Sequence, residues 1–418
     1  MTVFDDLESE VRSYCRNWPV VFDTAKGSRL TDVDGNSYLD FFGGAGALNY
    51  GHNPEVLKGP LLEYIQRDGV THGLDMYTTA KGEFLHTFED VILKPRGLDY
   101  KVQFPGPTGA NAVESALKLA RKITGKEALI NFTNAFHGMT LGALSVTGNS
   151  MKRGGAGIPL VHSTPMPFDN YFEGKFPDFL WFEKVLDDAG SSLNDPAAVI
   201  VETVQGEGGL NPARIEWLQG LRDLCTRKGL LMIVDDVQMG CGRTGPFFSF
   251  EIAGIEPDIV TLSKSISGYG MPMAVTLIKP EYDQWGPGEH NGTFRGNNPG
   301  FLTATHTLRH WWTDDALERD TIRKGEKIEE AFAKIVKDAA GSTECYQKGR
   351  GMARGIQFAE DGLAEKVAAK AFEHRLLLET AGPDDEVLKL LPPLTTTDDE
   401  LDEGLAIIGE SVRTVTGS

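Results

Sequence analysis

Residues 230–278 restrict the fold of this 418-residue chain more than any other stretch. Residues 230–234 are five consecutive apolar side chains, and they stop abruptly at Asp235 and Asp236. A run that short and that apolar suits a strand buried on both faces, not a helix. A second run, residues 259–262, ends at Ser263 and Lys264, and a third, residues 274–278, comes after a turn rich in Gly and Pro. In open α/β sheets ligands bind beyond the carboxyl ends of the strands. An acid after one buried strand and a lysine after the next are thus placed to face one crevice, with Gln238 three residues past the acid. Taken singly, an Asp pair at a strand end reads as a solvated turn and one Lys as a surface residue; only the combination points to chemistry.

A lysine in the mouth of a pocket can condense with an aldehyde once desolvation frees its amine. Pyridoxal 5'-phosphate is the cofactor that uses such a lysine, and it needs a carboxylate beside its ring nitrogen to keep that nitrogen protonated. Asp235 can supply the charge and Lys264 the amine. The pattern Asp235-Asp236-Val237-Gln238, then glycines and Arg243-Thr244-Gly245, then Pro257-Asp258 through Ser263-Lys264 to Gly270, resembles the signature of the class III (subgroup II) pyridoxal-phosphate aminotransferases. That resemblance implies that Asp235 contacts the pyridine nitrogen, Gln238 the phenolic oxygen, and that Lys264 holds the cofactor and moves the proton during catalysis. It also implies an α/β fold of the fold type I class: a large domain with a mostly parallel seven-stranded sheet between helices, and a small α+β domain from both termini. The expected boundaries are residues 1–53 and 316–418 for the small domain and 54–315 for the large, cofactor-binding one.

Composition narrows the function classes. About 24% charged and 40% hydrophobic residues are ordinary for a globular chain of this length. No apolar run approaches the ~20 residues that span a membrane, and the first residues are acidic, unlike a basic, apolar leader, so a cytoplasmic location is expected. The net charge of −19 disfavours nucleic acid as a partner. Cys15, Cys225, Cys241 and Cys345 are scattered without metal or CxxC spacing, which reads as free thiols in a reducing compartment and no metal site.

Along the chain, residues 7–14 read as a short amphipathic helix, and strands are expected around residues 20–22 and 30–32. The turn Asp34-Gly35-Asn36 should close a hairpin onto Tyr38-Leu39-Asp40-Phe41. His52, in a Gly- and Asn-rich turn, reads as a structural hydrogen-bonding group and not as a base. Helical periodicity covers residues 54–67 and 79–91, then again 112–123. The last of these helices is opened by Pro107-Thr108-Gly109-Ala110-Asn111, a Gly-containing turn whose free N–H groups suit a phosphate. The family's N-S-G-x-E-A-x-E stands here as Pro107-Thr108-Gly109-Ala110-Asn111-Ala112-Val113-Glu114, so the resemblance implies that Thr108, Gly109 and Ala110 contact the cofactor phosphate, with Asn111 replacing the usual acid. A strand at 128–132 precedes Phe136-His137-Gly138-Met139, the family's aromatic-His-Gly turn. The match implies Phe136 stacked on the cofactor ring and His137 beside it; Met139 stands where the family often has Arg. Residues 150–195, with Pro165 to Phe168 and Phe176-Pro177, read as an irregular excursion without chemistry. A strand at 197–201 ends in Glu202, with Gln205-Gly206-Glu207 beyond it. The motif E-x-x-Q-G-E implies a cofactor contact for Glu202 and, for Glu207, a gate between two amino substrates. Thr293 in Thr293-Phe294-Arg295-Gly296-Asn297 implies a contact to the neighbouring subunit's cofactor, hence a homodimer or higher oligomer with shared active sites. Helices are expected at 302–312, 317–338 and 398–415, and a strand at 353–358. Lys389 stands three residues before Pro392-Pro393-Leu394, where the family commonly has a carboxylate-binding Arg.

Residues 8–16, 41–53, 136–140, 291–298 and 387–394 together resemble one branch of that family. In that branch the amino group of L-glutamate passes to L-aspartate 4-semialdehyde, giving L-2,4-diaminobutyrate and 2-oxoglutarate, the opening step of ectoine biosynthesis. Substrate carboxylates are then expected on Arg295 and Lys389. Other ω-aminotransferase activities (ornithine, acetylornithine or 4-aminobutyrate) and a semialdehyde aminomutase remain alternatives on the same scaffold. A nucleotide-binding dehydrogenase is disfavoured, since the Gly-rich turn lacks G-x-G-x-x-G.

Overall fold

The N-terminal strands form a meander because their turns are chemically specified. The structure, a computed structural model, describes residues 3–175 and 178–418; Phe176-Pro177 of the excursion lies outside them. Strands β1 (Phe22–Lys26), β2 (Arg29–Asp32) and β3 (Ser37–Asp40) pair antiparallel in that order. Between β2 and β3 the Asp32 carboxylate accepts the backbone N–H groups of Asp34 and Asn36 at 3.0 and 2.8 Å, and Gly35 takes φ +84°. The helix expected at 7–14 is absent. Two short helices, Val3–Leu7 and Tyr14–Asn17, flank a break at 8–13. The apolar side chains Val3, Leu7 and Val11 of that stretch lie exposed, so no surface of the chain supports a continuous helix there.

The central sheet comprises β4 (Lys101–Gln103), β5 (Ala128–Phe132), β6 (Ser163–Met166), β7 (Pro196–Val201), β10 (Leu231–Asp235), β11 (Ile259–Leu262) and β12 (Val275–Ile278); a small ribbon, β8 (Val204–Gln205) with β9 (Asn211–Pro212), stands outside it. The spatial order is β4-β12-β11-β10-β7-β5-β6. Strand β12 alone runs opposite to the other six. Strands β5, β7, β10, β11 and β12 are buried at every residue, as their mainly apolar sequences favour. Alternate residues serve opposite faces: Ile200, Ile233 and Ile259 pack with Ala116 and Leu117 of the helix Gly109–Thr124, while Val201, Met232 and Val234 pack with Trp217 and Leu221 of the helix Ile215–Lys228. The excursion at 150–195 is not wholly irregular, since it supplies the edge strand β6. Its sequence, Ser163 to Met166 with Pro165 inside, carries no strand signal because an edge strand needs only one hydrogen-bonded side and tolerates proline.

The helix Asn298–Trp311 and the long helix Ala316–Ala339 lead to a second sheet. Its strands are β13 (Cys345–Arg350), β14 (Ala353–Phe358), β16 (Glu379–Ala381) and β17 (Val387–Leu390), in the order β13-β14-β17-β16. The short β15 (Leu376–Leu377) leaves this sheet and pairs parallel with β3, so the two ends of the chain share a sheet. The helix Asp398–Thr416 closes the chain behind a capping box of Thr397 and Glu400. One buried side chain ties three distant segments together. The guanidinium of Arg243 donates to the carbonyls of Met352 (3.3 Å) and Pro392 (2.5 Å) and to Asn49 Oδ1 (2.5 Å), and burial pushes its pKa down to about 9. Cys225 and Cys241 are buried free thiols. Among the described residues no helix is long and apolar enough to cross a membrane.

Candidate active site

The carboxyl ends of β4, β5, β7, β10 and β11 open on one side of the sheet, and the segments that leave them line one cavity of about 670 Å³. Its walls include Gly109 and Ala110 beyond β4, Phe136, His137 and Gly138 beyond β5, Glu202 and Glu207 beyond β7, Asp235, Val237 and Gln238 at β10, and Lys264 after β11. Every residue expected to touch the cofactor therefore converges here except Thr108 and Thr293.

Asp235 is held from both sides. Its Oδ2 accepts from His137 Nδ1 at 2.7 Å, and its Oδ1 accepts from Thr261 Oγ1 at 3.1 Å and from the Val237 N–H at 3.2 Å. His137 is buried; burial alone would lower its pKa, but the hydrogen bond and charge of Asp235, with Glu202 beyond, raise it. Its Nε2 is buried without a partner. Glu202 accepts the Phe136 N–H at 3.1 Å, fixing the turn that carries the aromatic ring, and burial pushes its carboxyl up to about 7.

Lys264 opens the turn Lys264–Ser267 with φ +49°, a left-handed conformation that costs a non-glycine residue on the order of 1 kcal/mol. That geometry turns its side chain back into the cavity, where Nζ donates to the Ala45 carbonyl at 2.7 Å. Burial lowers the Lys264 pKa, and Lys389 adds to the shift against the opposing pull of Glu207. Gln238 Nε2 donates to the same Ala45 carbonyl at 3.0 Å and to Glu207 Oε1 at 3.0 Å, leaving Gln238 Oε1 buried and unpartnered.

Thr108 caps the helix Gly109–Thr124 in a reciprocal box with Asn111, whose Oδ1 accepts the Thr108 N–H at 3.2 Å. Asn111 fills the geometric role of the family's acid without placing a negative charge at the helix start, which leaves the positive end of the helix for an anion. Close approach at this cup needs glycine: a Cβ on Gly109 would stand 2.9 Å from Val237 Cγ1, and one on Gly138, at φ +129°, 2.9 Å from Ala110 Cβ.

The outer part of the site is ionic. Lys389, fully buried, places Nζ 2.8 Å from Glu207 Oε1 and 2.9 Å from Glu379 Oε1. Burial works against both charges, yet the two carboxylates raise the Lys389 pKa, and Lys389 with Lys264 holds Glu207 well below the usual carboxylate range. Burial pushes Glu379 up to about 7. Glu379, on the strand next to Lys389, carries no motif and gives no signal in the sequence. The same holds for Lys152, whose ammonium stands 4.3 Å from the centroid of the Phe136 ring. Arg295 and Thr293 lie apart from this cavity, on the turn Thr293–Arg295, where the Arg295 guanidinium donates to Asn291 Oδ1 at 2.8 Å. Met139 is half-exposed. His52 Nε2 sits 2.7 Å from Asp40 Oδ2, consistent with a structural group.

The residues present fit pyridoxal phosphate on two counts. Two buried polar atoms, His137 Nε2 and Gln238 Oε1, point to a polar occupant. The glycine-lined helix start offers an anion cup and Lys264 an amine whose proton burial loosens.

Comparison with known proteins agrees with this geometry. The family profile described as aminotransferase class-III matches residues 12–412. The chain is 65% identical over 413 residues to a diaminobutyrate–2-oxoglutarate transaminase of Streptomyces anulatus, covering 99% of this chain and 98% of that protein. It is 58% identical over 413 residues to one of Halalkalibacterium halodurans, covering 99% and 96%. Among solved structures, an ornithine aminotransferase of Toxoplasma gondii superposes with a TM-score of 0.85 at 26% identity, covering 99% of this chain and 94% of that one. A transaminase of a marine Virgibacillus shares the fold with a TM-score of 0.87 at 20% identity, covering 99% and 98%.

Proposed function

The chain belongs to the class III aminotransferase family, and from that premise we propose that it moves the amino group of L-glutamate to C4 of L-aspartate 4-semialdehyde. The products are L-2,4-diaminobutyrate and 2-oxoglutarate, and the reaction opens ectoine biosynthesis. The observation that carries this reading is the likeness, over 413 residues, to diaminobutyrate–2-oxoglutarate transaminases, in a chain whose Lys264 and Asp235 share one cavity.

Pyridoxal 5'-phosphate is the cofactor; when bound, it supplies an aldehyde carbon for the amines and a ring that takes up the electron pair released at the substrate carbon. Lys264 Nζ is the general base and acid: it removes the proton from the donor carbon and returns it at the cofactor side. Its lowered pKa keeps more of the amine free at neutral pH. Asp235, fixed by His137 Nδ1 and Thr261 Oγ1, would keep a proton on the ring nitrogen. The N–H groups of Gly109 and Ala110, with Thr108 capping the same helix, would hold the phosphate; Phe136, whose turn Glu202 fixes, would cover the ring, and the Gln238 amide would serve the phenolic oxygen. Glu207 gates the two half-reactions by turning to and from Lys389. When Glu207 turns away, Lys389 is free to take the carboxylate of the five-carbon partner, with Glu379 still beside it.

The active unit is a homodimer, with Thr293 and Arg295 completing the partner's site. Supporting this, the middle residue of their turn, Phe294, leaves its ring exposed at 67%, and His72 Nε2 donates to the Thr293 carbonyl at 2.6 Å. The enzyme acts in the cytoplasm.

A panel of amino donors and carbonyl acceptors, with products identified by chromatography, tests the reading. Diaminobutyrate and 2-oxoglutarate should appear in equal amounts from glutamate and the semialdehyde. Preference for 4-aminobutyrate or ornithine in the reverse direction overturns the substrate assignment, and product without 2-oxoglutarate favours an aminomutase.

A further inference from the structure

We propose that Lys152 is the carboxylate anchor of the four-carbon substrate, its ammonium receiving the α-carboxylate of diaminobutyrate or aspartate semialdehyde at the mouth of the site. This inference rests on the transaminase reading. A second cavity, of about 570 Å³, adjoins the first and shares Phe136 and Glu207 with it. Lys152 lines this outer cavity, half-buried, with its Nζ over the Phe136 ring at 4.3 Å.

Charge accounting singles this residue out. A substrate carboxylate entering here meets Glu207 and Asp384 on the cavity wall, in a chain of net charge −19, so it needs a cation. Lys264 serves the cofactor. Lys389, between two carboxylates, is assigned above to the five-carbon partner, and Arg295, assigned above to the partner's site, lines neither cavity of its own subunit. Met139, beside the aromatic turn, has no charge to offer. Among the described residues that line this outer cavity Lys152 is the one cation, and its Nζ has no carboxylate within ion-pairing distance.

Its resting contact suits the task. An aromatic face attracts an ammonium without neutralising it, at about 0.5–1 kcal/mol where water has access, so an arriving carboxylate displaces little. Lysine's flexible stem lets the charge move with the substrate. The four-carbon substrate is short: C4 reacts at the cofactor, and C1 lies roughly 4 Å from C4 by standard bond lengths. Phe136, shared by both cavities, is the ring next to which both events take place.

The test uses the holoenzyme and Lys152→Met. In the reverse direction, KM for L-2,4-diaminobutyrate should rise tenfold or more, and the preference for diaminobutyrate over 1,3-diaminopropane, which keeps the amine spacing but lacks the carboxylate, should collapse by a similar factor. Lys152→Arg should restore most of that preference. Independently of turnover, the calorimetric Kd of L-homoserine, which carries a hydroxyl for the reacting amine, should weaken about tenfold in Lys152→Met. Unchanged KM and Kd, or equal losses on both amines, overturn the assignment. A wild-type enzyme inert toward diaminobutyrate overturns the function reading instead, and the homoserine titration then still decides on Lys152.

Discussion

Asp235 and Asp236 are neighbours in sequence with opposite environments. Asp235 faces the cavity among three donors. Asp236 points the other way, buried, with the Ser249 N–H at 3.0 Å and the Ser249 hydroxyl against its carboxylate. Burial pushes the Asp236 carboxyl up to about 7 from an ordinary value of 3.8. Its folded pKa thus exceeds its unfolded one, so the native protein binds the extra proton. The stability linked to that proton, on the order of 4 kcal/mol, is fully present below pH ~4 and is lost as pH rises through ~7. Asn imitates the protonated form at every pH. The melting temperature of Asp236→Asn minus that of the wild type should therefore climb by several degrees from pH 5 to pH 8 in calorimetry; a constant difference would show that Asp236 is ionised in the fold throughout.

At the scale of elements, the starts of helices and the ends of strands carry the site, and the cup at the head of the helix Gly109–Thr124 is the most exacting. Gly109→Val would drive a side chain into Val237 and cover the N–H groups, so the cofactor Kd from absorbance titration should rise at least tenfold while the far-ultraviolet dichroism stays unchanged. A Kd within twofold of wild type would remove that helix start from phosphate binding. Elements of this kind were legible in the sequence because their signals are local. Strands β10 and β11 announce themselves by short, mainly apolar runs, and Asp235, Gln238 and Lys264 lie within a few residues of their ends. Elements defined by a single neighbour were not legible: β6 is an edge strand of mixed polarity, and residues 8–13 break a helix for want of a surface to pack on. Glu379 and Lys152 escaped for a related reason. Neither lies in a motif, and each matters only because the fold brings it to a partner outside its own segment, Lys389 and Phe136.

For the whole molecule, the exposed corner around Thr293 belongs to assembly. Phe294→Asp places a charge on the exposed ring of the turn that carries Thr293 and Arg295. Sedimentation should show dissociation of the dimer at micromolar concentration with loss of turnover, and a variant that stays dimeric and active would move the interface elsewhere. Arg243 has its consequence in time rather than in space. Its three acceptors emerge from the ribosome in the order Asn49, Met352, Pro392, so a nascent chain lacks the last of them until nearly the whole sequence has been made. A guanidinium buried without acceptors is expensive. The centre of the fold therefore closes late, after translation of the body of the chain, and a polypeptide truncated before residue 392 should be a client for chaperones and proteases instead of a partly working enzyme.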